Sequence, residues 1–162
     1  MHYTFQQVTG GSLSAELSEL VRRAEDPALM EGIGLALVSL TRRAFDEPDL
    51  RPSPWAPRKD KSLNHPLMRL TGELGKAARV DSFTAGSVTM AGDRKYFAIH
   101  QYGGPVPTRH TGYRFDRNDA PKQSYFTLPA RPMFPILSNG QLTAAAEQEI
   151  GRVIGGWTQG GS

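Results

Sequence analysis

Tyr96-Phe97-Ala98-Ile99-His100-Gln101-Tyr102-Gly103-Gly104 is an aromatic run closed by two glycines, and Leu128-Pro129-Ala130-Arg131-Pro132-Met133-Phe134 answers it further along the chain. Neither piece has the form of a catalytic loop. Glycine opens positive φ and proline locks φ, so an aromatic run ending in paired glycines and an arginine held between prolines fix loop geometry. The pair points to a body held by rigid loops rather than to an enzyme.

Upstream of this pair the periodicity is of two kinds. Val80 and Phe83 anchor an alternating run from Arg79 to Phe83, and Val88 and Met90 alternate with Thr89 and Ala91. Thr84-Ala85-Gly86-Ser87 between them is a turn, so the two runs form a hairpin that ends at Ala91-Gly92-Asp93. Further upstream, Leu29, Ile33, Leu37, Leu40 and Ala44 recur at helical spacing, with Arg42 and Arg43 suited to the last turn and Pro48 expected to end the helix. Gly32 and Gly34 lower its propensity and suggest a close crossing with another element. Ser12, Leu13, Glu16, Leu17 and Leu20 predict an earlier helix stopping near Asp26-Pro27, after an N-terminal strand or ordered arm that ends at Gly10-Gly11.

Two stretches read as long loops. Residues 46–66 contain Pro48, Pro52, Pro54, Pro57 and Pro66, together with Trp55, which needs somewhere to pack. Residues 103–124 form the second, polar loop. His65 to Leu74 reads as a turn and a short helical segment closed by Gly75. The spacing leaves Tyr96 to Tyr102 open between helix and strand. Tyr125 to Leu128 is a last short strand. Gln141 to Trp157 is a final helix capped by Asn139, with Leu142, Ala146, Ile150, Val153 and Trp157 on one face. The expected fold is α+β, a mainly antiparallel sheet flanked by helices, with long proline- and glycine-rich loops. The expected organisation is an arm and first helix over 1–26, one α+β domain over 27–158, and a flexible tail over 159–162.

Composition narrows the function. Apolar residues are 38% of the chain, with 17 glycines and 12 prolines. The chain therefore carries more loop than average or buries part of its surface against other copies of itself. It has no cysteine, which removes disulfides and thiolate metal sites. A net charge of +3 is too weak by itself to argue nucleic-acid binding. The N-terminus lacks a signal pattern, and the longest apolar stretch, Ile33 to Leu40, is far too short to span a bilayer, so a soluble protein without a membrane partner is expected.

Candidate chemistry is sparse. His65, His100 and His110 fit no zinc pattern and read as structural or surface residues, with His100 expected to bond backbone near the glycine turn. Gly103-Gly104 lacks the rest of a phosphate loop and reads as a tight turn, as does Gly72. Arg131 reads as a buried or interface arginine tying loop carbonyls and a carboxylate. Trp55 reads as an interface anchor or as docked on its own domain. Asp46, Glu47 and Asp49 read as solvated. No nucleophile, base and orienter set stands out, and no cofactor is expected.

Taken together, the helix ending in Phe45 with Trp55-Ala56-Pro57, Leu67-Met68-Arg69-Leu70-Thr71-Gly72-Glu73-Leu74, the glycine-closed aromatic run and Pro129-Ala130-Arg131-Pro132-Met133-Phe134 resemble the phage virion morphogenesis family. The resemblance covers roughly Met30 to Trp157. The resemblance implies a structural protein of Mu-like phages and prophages, acting in tail completion or head–tail joining. It also implies a homo-oligomeric ring, commonly a hexamer, on the tail or neck of a virion assembled in the host cytoplasm, with tail tube or neck proteins as partners. In that role Trp55, Arg58, Lys59, Lys61, Arg109, His110, Arg114, Arg117 and Arg131 are candidate interface residues. The basic second loop faces either DNA in a lumen or an acidic protein neighbour. The alternative is a basic nucleic-acid-binding module with Tyr113, Phe115 and Tyr125 as stacking groups.

Overall fold

The structure is a computed structural model that describes residues 18–19, 21–58, 62, 64–107 and 125–159, with Tyr125 described by its backbone. Residues 21–24 are helical. Helix α1, Pro27–Arg43, starts at Asp26, whose carboxylate accepts the Ala28 N–H at 2.9 Å, and Pro27 follows where a missing N–H costs nothing. Leu29, Ile33, Leu37 and Leu40 form its buried face, as the spacing predicts.

Helix α1 ends at Arg43, earlier than expected, and Pro48 instead opens a 3-10 turn, Pro48–Leu50. The physical reason lies in Arg51. Its guanidinium donates to the carbonyls of Ala44 at 2.7 Å and Phe45 at 3.2 Å, satisfying acceptors that a helix end leaves unpaired.

Strands β1, Ala78–Thr84, and β2, Ser87–Gly92, form the expected antiparallel hairpin, with a bulge between Val80 and Ser82. Helix α1 lies across one face of it. A Cβ on Gly34 would stand 2.7 Å from a methyl of Val80 and of Val88. A Cβ on Gly32 would make ordinary contact with Val153 at 3.5 Å, so Gly34 alone permits the close crossing.

Helix α2 is the single turn Glu73–Lys76, so Gly75 lies inside it rather than closing it. The Phe97–Tyr102 run is helical, α3. The chain then leaves Gly103 as strand β3, Gly104–Pro107, where a loop was expected, and β3 pairs antiparallel with β4, Tyr125–Leu128. Pairing with a distant strand overrides the weak local signal of a segment with two prolines. The fold is α+β, and among the described residues the strands are antiparallel and divided into two two-stranded sheets.

Helix α4, Ala144–Thr158, starts later than expected because Thr143 caps it, its hydroxyl accepting the Ala146 N–H at 3.3 Å. Asn139 instead accepts the Gln141 N–H at 3.0 Å and shapes the preceding turn, where Gly140 has φ +83°. Leu142, Ala146, Ile150, Val153 and Trp157 pack on Leu29, Ile33, Leu37 and Leu40 with Val88 and Met90. The Trp157 indole donates to the Arg23 carbonyl at 3.2 Å, tying the end of α4 to the helical residues before α1.

Candidate functional site

A second core cluster gathers Phe45, Trp55, Leu74, Ala77, Phe97 and Met133, with Leu67, Met68 and Phe134 packed against it. Its members come from all four sequence motifs. Each large side chain buried here contributes about 1.5–3 kcal/mol of hydrophobic stabilisation, so the motifs converge on one knot whose first role is to hold loops together.

Trp55 sits at its centre. Its ring meets Phe45 edge-on at 5.2 Å between centroids, and Arg51 stacks over its face at 4.0 Å. The side chain is buried within this chain, docked on its own domain.

Arg131 is the second clamp. It is buried and donates through Nε to the Ala56 carbonyl at 3.0 Å, with a longer 3.4 Å contact to Pro57, while its backbone N–H donates to the His100 carbonyl at 2.7 Å. It ties loop carbonyls as expected, but no carboxylate joins it among the described residues. Burial, and then the nearby Arg58 charge, lower its pKa. The planar guanidinium, its charge delocalised over three nitrogens, stays protonated and makes up for lost hydration through these carbonyls.

Gly103 and Gly104 have the positive φ expected of them, +71° and +130°, Gly103 as the cap of α3 and Gly104 as the first residue of β3. Gly103 needs more than its φ. A Cβ there would lie 2.7 Å from the Ala130 nitrogen and 2.9 Å from the Leu128 oxygen. Gly72 has φ +74° with open space around it. His100 departs from expectation. Its Nδ1 is buried without a hydrogen-bond partner among the described residues, and only its backbone carbonyl bonds the neighbouring loop. Burial, then the Arg131 charge, hold its pKa below the usual imidazole value.

Gln101 carries a role that no sequence signal marked. It is buried, and its Oε1 accepts the N–H groups of Met133 at 2.7 Å and Phe134 at 3.1 Å. The only hint was a polar residue inside an aromatic run. Asp46 and Glu47 are exposed, but they pair with Arg69 at 2.6 Å and Arg43 at 2.9 Å.

The other candidate interface residues separate. Arg58 lies 3.1 Å from His65 Nδ1 and donates to the Pro66 carbonyl at 3.2 Å. Lys59, Lys61, Arg109, His110, Arg114 and Arg117 lie outside the described residues. Two open clefts flank the knot. One, of about 550 Å³, is lined by Pro52, Gln101, Tyr102, Phe134, Ile136 and Leu137. The other, of about 660 Å³, is lined by Arg42, Arg43, Asp46, Arg69 and Lys76. Among the described residues, no group of three or more His, Asp or Glu side chains is placed to hold a metal ion. No helix among them is long and apolar enough to cross a membrane.

The description of the phage virion morphogenesis family matches residues 9–158, nearly the whole chain, and the chain belongs to that family. No curated protein and no solved structure matches it. Membership makes it a structural and assembly protein associated with the phage virion. The match begins well before Met30, so the segment ahead of α1 falls within the family pattern as well.

Proposed function

We propose that the chain is the subunit of a homo-oligomeric ring that completes the tail or joins tail to head at the neck. It works by shape and surface complementarity, without turnover. One observation supports this reading most. The motif side chains with chemical potential are spent inside the knot, whereas Leu70 and Tyr102, within the same motifs, are 76% and 77% exposed. Large apolar side chains presented on a braced framework suit contact with neighbouring subunits and with tail tube or neck proteins.

Light scattering over a concentration series, with negative-stain images of the same sample, tests the reading. A closed ring is the expected result. In phage complementation, deleting residues 109–119 should lower the yield of infectious particles while near-UV circular dichroism stays native. Unchanged yield and a monomer that binds duplex DNA tightly, with steep salt dependence, would favour the nucleic-acid module instead.

A further inference from the structure

Strands that end a sheet expose rows of unpaired N–H and C=O groups, and proteins ordinarily blunt them with charges, prolines or bulges. The four strands among the described residues are treated unequally. Strand β1 carries Arg79 and Asp81 and is broken by the bulge after Val80, and Arg42 already occupies its Ala78 carbonyl at 3.2 Å. Strand β3, Gly-Pro-Val-Pro, carries two prolines. Strand β2, Ser-Val-Thr-Met-Ala-Gly, has neither charge nor proline, and β4, Tyr-Phe-Thr-Leu, has neither. Each pairs on one side only among the described residues.

We propose that the open edge of β2 in one copy of this chain pairs with the open edge of β4 in the next. The assignment rests on the ring reading above. The two edges match in charge, since neither carries any, and the four residues of β4 fit within the six of β2. The blunted edges of β1 and β3 cannot serve as well: charges resist burial at a seam, and proline removes the donor. A two-fold pairing of β2 with β2 would leave β4 open. The head-to-tail pairing uses both edges of every subunit, and heterologous contacts of this kind close into rings when the rotation permits.

The chain has no cysteine, so two introduced thiols report the seam without interference. Thr89 on β2 and Thr127 on β4 are exposed. The Thr89→Cys/Thr127→Cys variant, treated with a short bifunctional thiol reagent, should give a ladder of covalent oligomers ending at the ring size. Each single variant should give monomer only. Separately, Thr89→Lys and Thr127→Lys should each shift the native mass from oligomer to monomer. Ser82→Lys, on the exposed side of β1, should not, and near-UV circular dichroism identifies any variant that fails to fold. Covalent dimers from Thr89→Cys alone would overturn the head-to-tail pairing in favour of a two-fold one. An intact ring without crosslinks, and with no response to either lysine, would overturn the edge pairing and leave the ring reading standing. A wild-type chain that stays monomeric at every concentration would overturn both.

Discussion

The Trp55 indole N–H donates to the Pro132 carbonyl at 2.8 Å and so joins two proline-rich segments 77 residues apart in the chain. Both partners lie in loops that have little regular secondary structure of their own. The bond, with the packing of the ring on Phe45, makes the two loops one body.

Trp55→Ala should therefore destabilise the isolated subunit, by about 3–5 kcal/mol for loss of a buried aromatic. Trp55→Phe should cost less, because it keeps most of the ring contact and loses the hydrogen bond. Urea unfolding of the two variants measures the difference. A near-native midpoint for Trp55→Ala would place the indole outside the core.

Gln101→Leu should leave the Met133 and Phe134 N–H groups without their acceptor, at about 1–3 kcal/mol for each buried donor left unpaired. Gln101→Glu retains an acceptor and should be milder near neutral pH. Equal losses in the two variants would show that side-chain volume, rather than the paired N–H groups, matters at this position.

Gly103→Ala and Gly72→Ala test two different demands on glycine. Gly72 lies in the left-handed region, where a Cβ costs roughly 1–2 kcal/mol, whereas Gly103, with φ +71° and ψ −172°, occupies a region that essentially only glycine adopts. Gly103 adds a clash with backbone atoms that cannot swing away, so Gly103→Ala should cost clearly more, and the thermal midpoints should separate. Gly34→Ala tests a third demand, contact with the methyls of Val80 and Val88. Overpacking there should cost about 1–3 kcal/mol, and Val80→Ala combined with Val88→Ala should recover part of it.

His100 should give the subunit a pH-dependent component of stability. Its folded pKa lies below the usual value of 6.5, through burial and then the Arg131 charge, while the unfolded chain titrates near that value. Between the two values the unfolded state binds more protons. The contribution is thus fully present above about 6.5 and is lost as pH falls through that window towards the folded pKa. His100→Phe should flatten the stability profile there, read by urea midpoints from neutral to mildly acidic pH. An unchanged profile would remove His100 as its source.

Much of this was legible in the residues. The face of α1, the hairpin with its turn, and the apolar stripe of α4 are local patterns of period and turn chemistry, which a sequence displays directly. The paired glycines and Arg131 announced fixed loop geometry for the same reason. Helix ends were less legible, because the capping groups of Thr143 and Arg51 compete with equally plausible neighbours until the chain is folded. The strand at Gly104–Pro107 was hidden because its partner is remote and its own composition speaks against a strand.

The sequence by itself determined the bodies of α1 and α4, the hairpin, the family, and the assembly role that family carries, since periodicity and ordered motifs reside in the chain. Only the tertiary structure decided what the motif side chains do. Trp55, Gln101, Arg131 and His100 are far apart along the chain or ambiguous in chemistry. Whether a polar or aromatic group faces water or becomes a buried clamp depends on which distant carbonyl or N–H packing brings within reach.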